Sequence, residues 1–115
     1  MERKIDVARK IGSSAALAQE QGDIIYEIIS SSIEKGETVI LDFSNVESMI
    51  SPFLNNAIGQ LYGKYTSDDI SSHLKLENFP VNKNATLNIV ISNAKKFYSD
   101  RKVFAETAKE VFDFE

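Results

Sequence analysis

The chain has 115 residues, 43% of them hydrophobic, with 13 Lys and Arg against 17 Asp and Glu for a net charge of −4. That length and apolar fraction suit one domain with a buried core and argue against wholesale disorder. The acidic balance, with a pI near 5.0, argues against a dedicated nucleic-acid or anionic-membrane binder, because phosphate-driven affinity needs a net basic face. The absence of cysteine removes disulfides, thiolate–zinc sites and thiol catalysis together.

The first residues, Met1-Glu2-Arg3-Lys4-Ile5-Asp6, are charged, and no apolar run of secretory-signal type follows them. The longest apolar-rich stretches, Asp23 to Ile29 and Leu87 to Ile91, fall far short of the roughly 20 residues that span a bilayer. The expectation is a soluble, cytoplasmic protein without membrane partners.

In chain order, Ile5, Val7 and Ala8 alternate with Asp6 and Arg9 and suggest a short strand. Ile11-Gly12-Ser13-Ser14 reads as a turn. Ala15 to Gln21 has helical character, but Gly22-Asp23 looks like a break and a fresh N-cap. From there Ile25, Ile28, Ile29 and Ile33 keep helical spacing until Gly36 stops the run. Thr38 to Phe43 is β-branched and nearly continuous in apolar character, as in a strand covered on both faces.

Ser51-Pro52 then resembles the favoured helix start, with Ser as the N-cap and Pro first in the helix. Phe53, Leu54, Ala57, Ile58, Leu61, Tyr62 and Tyr65 follow at helical spacing, with the small residues Gly59 and Gly63 on the flank. Ser67-Asp68-Asp69 caps a turn or two of helix. Leu74 to Phe79 alternates with period two and ends at Pro80. Leu87, Val90, Ile91, Ala94, Phe97 and Tyr98 make another helical stripe. Val103, Phe104, Ala108, Val111 and Phe112 make a last one. Strand and helix alternate, which predicts an α/β domain over residues 1–115. It should have a small, mostly parallel sheet of about four strands packed with helices, and a helical tail over residues 101–115.

Several chemistries lack their residues. There is no phosphate loop ending in Lys-Ser or Lys-Thr and no dinucleotide fingerprint. His73 is the sole histidine; it excludes paired-His zinc motifs and, on a polar stretch, reads as solvated. Asp42, near the C-terminal end of its strand, could carry function, but bonding to backbone donors is its simpler role. Asp68-Asp69 suits helix capping better than a shared proton. No enzyme activity, metal or cofactor is expected, and the aromatic residues read first as core.

One segment is more specific. Val39-Ile40-Leu41-Asp42-Phe43-Ser44-Asn45-Val46-Glu47-Ser48-Met49-Ile50-Ser51-Pro52-Phe53-Leu54, continuing to Gly59, resembles the central strand–loop–helix of STAS domains, the anti-sigma factor antagonist fold. Leu41-Asp42-Phe43, Val46, Met49, Ser51, Leu54 and Gly59 stand where that pattern places its strand, turn, serine and glycine. The segment is most similar to the STAS-like domains of unknown function, and the likeness extends over roughly residues 3 to 100, a domain-sized stretch.

The resemblance implies a non-enzymatic regulator that docks a protein partner of the histidine-kinase-like ATPase class. The expected contact surface is Ser44, Asn45, Glu47, Ser48, Met49, Ile50, Ser51, Phe53 and Asn56. It also implies a phosphorylatable serine at Ser51, with Ser48 as a second candidate; the simpler reading makes Ser51 an N-cap worth about 1 kcal/mol. The chain departs from the pattern where Ile50 replaces the acidic residue before the serine and Pro52-Phe53 replaces small ones. A nucleotide or small-ligand sensor is the alternative, resting on Asp42 and the helix start at Ser51. Self-association through Phe104, Ala108, Val111 and Phe112 is a third expectation.

Overall fold

The computed structural model describes residues 2–113, with side chains described through Ser99. Strand β1 is Glu2–Asp6. It ends earlier than the alternation suggests, because Val7–Ile11 form helix α1. Asp6 caps that helix, its carboxylate accepting the Arg9 N–H at 3.3 Å, and Gly12 closes it at φ 73°.

The second departure is larger. Ala15–Ala16 form strand β2 rather than helix, and helix α2 runs Gln19–Glu34 straight through Gly22. The Gln21 side chain takes the place of a capping Ser, accepting the backbone N–H of Leu17 at 2.9 Å and of Ala18 at 3.0 Å. Gly22 is not a break but a point of contact. A Cβ there would lie 2.5 Å from the Phe53 carbonyl oxygen and 2.8 Å from the Asn56 Cβ. Only a residue without a side chain lets the next helix come so close. Gly36, at φ 71°, stops the chain after α2 as expected.

Strand β3 is Thr38–Asp42, β4 is Ser48–Met49, and α3 is Ser51–Ala57. The helical stripe expected to continue to Tyr65 tightens instead into a 3-10 turn at Gly59–Gly63. Helix α4 follows at Ser67–His73 and β5 at Leu74–Glu77. The α4 cap is Thr66, which accepts the Asp69 N–H at 3.1 Å; Asp68 and Asp69 sit in the first turn, where the helix dipole favours them. A 3-10 turn at Val81–Lys83 leads into α5, Asn84–Asp113. The two helices expected after Asn84 are thus one helix of 30 residues.

The chain is a mixed α/β structure with two small parallel sheets, one more strand than expected. The larger has order β1-β3-β5 and the smaller pairs β2 with β4. Register places Ile5, Leu41 and Leu76 in one row and Lys4, Ile40 and Lys75 in the next. Alternation turns the first row, with Val39, toward the helices, where Val39 and Leu41 are fully buried beneath α2 and α4.

The opposite face carries no helix among the described residues. Two ion pairs, Lys4–Glu77 at 3.0 Å and Lys75–Glu2 at 3.1 Å, cross from one edge strand to the other, and the central Ile40 between them is half-buried. The expected cover on both faces of β3 is therefore corrected. One face is covered by helices, the other only by lysine and glutamate side chains lying over the sheet. The core continues into Ile25 and Ile29 of α2, Phe53 and Leu54 of α3, Leu61 and Val90. Phe43 meets Phe79 edge to face at 5.0 Å.

Candidate docking site

At the C-terminal ends of the strands, β3 delivers Asp42 beside Asp6 of β1. Each carboxylate holds its own donors. Asp42 Oδ1 accepts the Asn78 side-chain amide and the Ser44 N–H, both at 3.0 Å. Asp6 Oδ2 accepts the Asn45 side-chain amide at 3.0 Å. The hydrogen bond from Asn78, then those from the Ser44 backbone and side chain, hold the Asp42 carboxyl below its ordinary range. Asn78 reaches this position from the left-handed region, φ 56°, which Asn tolerates better than most residues. Asp42 thus has the structural role that its position suggested, fixing the turn that follows β3.

That turn is then tied down on its other side. The N–H groups of Glu47 and Ser48 both donate to the Ser14 carbonyl, at 2.7 and 3.3 Å, and the Ser14 hydroxyl donates to Glu47 Oε2 at 3.2 Å. Ala15 pairs with Ser48 and Ala16 with Met49, and the Ile50 N–H continues the ladder to the Ala16 carbonyl at 3.2 Å. Ala16 and Met49 are buried. One step further, alternation reverses the side chains, and Leu17 and Ile50 emerge at 52% and 38% exposure.

The nine expected contact residues divide accordingly. Ser44, Asn45, Glu47, Ser48, Ile50 and Ser51 are exposed. Met49 and Phe53 are corrected to core residues: both are buried, Met49 by the inward phase of β4 and Phe53 by packing between α3 and the core. Asn56 is half-buried and joins two helices, its amide donating to the Gln19 carbonyl at 3.3 Å and to Asp23 Oδ1 at 3.0 Å.

Ser51 is also corrected as an N-cap. Ile50 has the extended cap conformation, φ −122° and ψ 162°, its carbonyl accepts the Leu54 N–H at 3.4 Å, and Ser51 is already inside the helix with Pro52. Among the described residues the Ser51 hydroxyl makes no hydrogen bond. Leu17 was missed because its run reads as helical when β4 is not yet known to pair with it. The one signal in the sequence was an isolated Leu between Ala16 and Ala18.

His73 is half-buried rather than solvated, its Nδ1 lying 3.0 Å from the Glu37 carbonyl. Near the loop the surface holds a recess of about 40 Å³ between Val46–Met49 and Pro80, Asn82 and Lys83. Ligand pockets usually span roughly 300–1,000 Å³. A wider groove, about 770 Å³, runs between the Tyr62–Ser67 segment and Lys95–Ser99, and no residue of 44–56 lines it. No described helix is long and apolar enough to cross a membrane.

The comparisons with known proteins give one match. The family model described as a STAS-like domain of unknown function (DUF4325) matches residues 21–82, more than half of the chain. It takes in α2 from Gln21, the β3–β4–α3 segment, α4 and β5, and leaves β1, α1, β2 and α5 outside. No curated protein and no solved structure matches significantly.

Proposed function

Taking as premise that the chain belongs to this STAS-like family of unknown function, we propose that it is a non-enzymatic regulatory module that docks a protein partner. The rim used is Leu17, Ser48, Ile50, Ser51 and Pro52. The observation that carries the reading is the emergence of Leu17 and Ile50 together, one step beyond the buried Ala16–Met49 pair, beside the exposed Ser51. Apolar side chains at the centre of a polar rim are the anatomy of a protein contact. Ser44, Asn45 and Glu47 supply polar groups at the edge.

The resemblance in the central segment supplies the partner class, a histidine-kinase-like ATPase. Ser51 is the regulatory residue in this reading. A phosphate there adds about −1.5 to −2 charges next to two apolar contact residues, so it weakens docking without disturbing the core. The missing acidic neighbour, replaced by Ile50, makes this contact more apolar than the general pattern and suits a partner with a complementary hydrophobic patch.

Calorimetric titration of the chain with the histidine-kinase-like ATPases of its own organism tests the proposal. Leu17→Asp and Ile50→Asp should each weaken the complex at least about tenfold, or 1.4 kcal/mol. Ser51→Asp should act in the same direction, and Ser71→Asp, exposed on α4, should change nothing. No complex with any such ATPase, or equal affinity for all four variants, overturns it.

A further inference from the structure

The face expected to self-associate, Phe104, Ala108, Val111 and Phe112, lies outside the residues whose side chains are described. A different surface is open within them. Strand β5 ends the sheet order β1-β3-β5, and among the described residues it pairs with β3 alone. The Glu77 carbonyl accepts the Phe43 N–H at 3.0 Å, so Glu77, and with it Lys75, turns its backbone groups toward β3. Alternation sends those of Leu74 and Leu76 outward, to the free edge. Both leucines belong to the row that packs beneath the helices, yet both are only half-buried, whereas Val39 and Leu41 beside them are fully buried. The other edge, β1, has no such gap, since its apolar member Ile5 is only 6% exposed.

We infer that a second copy of this chain adds its own β5 antiparallel to this edge, about a two-fold axis at Leu76. Charge selects the register. With the axis at Leu76, Lys75 stands opposite Glu77 of the second copy, and Glu77 stands opposite its Lys75. Moving the axis to Lys75 sets that lysine against itself, and moving it to Glu77 sets the glutamate against itself. An axis between two residues would put side chains of the open face opposite side chains of the covered face. The Leu76 axis also suits the backbone: the outward N–H and C=O of Leu76 exchange both hydrogen bonds with those of the second Leu76.

The same register extends the charge pattern already present on the open face. Lys75 pairs with Glu2 at 3.1 Å and Glu77 with Lys4 at 3.0 Å, while the two β5 side chains remain 60% and 44% exposed. In the pair of chains, Lys75 lies between Glu2 and the Glu77 of the second copy. Glu77 lies between Lys4 and the Lys75 of the second copy. Every neighbour is then opposite in sign. On the covered face Leu76 meets the second Leu76, which closes the gap in the apolar row. The two sheets become one, in the order β1-β3-β5-β5-β3-β1, and the open edge of β5 is removed. Strand β5 has only four residues, so the ladder is short and the pair forms at high concentration.

Light scattering coupled to size exclusion, on the full chain over a concentration series, should give the mass of a dimer at high concentration. Lys75→Glu and Glu77→Lys each set like charges against each other. Each variant alone should stay a monomer with an unchanged circular dichroism spectrum. Mixed in equal amounts, the two should recover the dimer as one of each, because both cross-strand contacts are then opposite in sign. Because the chain has no cysteine, the register can also be read by oxidation. An equimolar mixture of Lys75→Cys and Glu77→Cys chains should yield a cross-linked dimer of one of each, several-fold above the Lys75→Cys homodimer. A wild-type monomer at every concentration overturns the inference. So does a dimer that survives Lys75→Glu, a mixture of the two charge variants that stays monomeric, or preferential cross-linking of Lys75→Cys to itself.

Discussion

Ile50 and Phe97 are both apolar and exposed, yet they reach the surface by different routes. Ile50 lies one residue from the buried Met49, and the two-residue period of an extended chain turns it outward as a consequence of turning Met49 inward. Phe97 shares a stripe with the buried Val90 and Ala94 but is 58% exposed, while its neighbour Tyr98 packs against Gly63. The first is exposed by geometry at a paired strand. The second is exposed because Tyr98, the next residue of α5, is the one turned toward Gly63. An exposed hydrophobic residue therefore gains meaning only with the element that displays it.

If that contrast holds, a change in stability should follow the buried neighbour and never the exposed residue. The largest effect is expected beside the rim: Phe53→Ala should cost about 3–5 kcal/mol in denaturant melts, while Ile50→Ser and Phe97→Ser stay within about 0.5 kcal/mol. A comparable loss from Ile50→Ser would show that the rim is part of the core. Next comes the α2–α3 contact that positions the rim. Gly22→Ala gains helix propensity but drives a methyl against the Phe53 carbonyl, and should lower stability by about 1–2 kcal/mol.

The caps give a smaller and sharper test. Thr66→Ala should cost about 1 kcal/mol, because its hydroxyl holds the Asp69 N–H, whereas Ser51→Ala should be neutral within about 0.5 kcal/mol. Equal costs would return Ser51 to a capping role.

The smallest effect is electrostatic. Hydrogen bonds from Asn78 and Ser44 lower the Asp42 pKa from its ordinary 3.8, and those from Tyr65 and Lys64 lower that of Glu34 from 4.5. A folded-state pKa below the unfolded one favours folding above the unfolded value, and the contribution is lost as pH falls through the folded one. Melting temperature should therefore decline slightly as pH drops below 4.5, first through Glu34 and then below 3.8 through Asp42. Asp42→Asn and Glu34→Gln should each flatten that decline. An unchanged slope in Asp42→Asn would remove the carboxylate from the anchoring of the turn.

Much of this was legible in the residues. The run Thr38 to Phe43, the turn at Ser44-Asn45, the Pro52 helix and the Leu87 to Tyr98 stripe each satisfy local propensity and long-range packing at once, so period and composition suffice to find them. The exposure of Ser44, Asn45, Glu47 and Ser48 was legible for the same reason, since they are polar residues between two apolar elements. What failed were residues whose local signal pointed elsewhere. Gly22 reads as a break because glycine weakens helices, but here the approach of α3 requires it. Ala15-Ala16 reads as helix because alanine favours helices, but its backbone donors and acceptors pair with a strand 33 residues away (Ala15 with Ser48, a separation of 48 − 15). Met49 and Phe53 stand with Ile50 at the helix start in the motif, and only the packed core shows that these two are the ones that face inward.

The sequence alone determined the class of this protein. Acidic, without cysteine, and bearing the Leu41 to Gly59 segment, it specifies a small α/β STAS-like chain through patterns that span a few residues. The tertiary structure decided which apolar groups leave the core. That choice depends on β2 meeting β4 and on which side of α5 meets Gly63. Both are contacts between segments far apart in the chain, which no local period records.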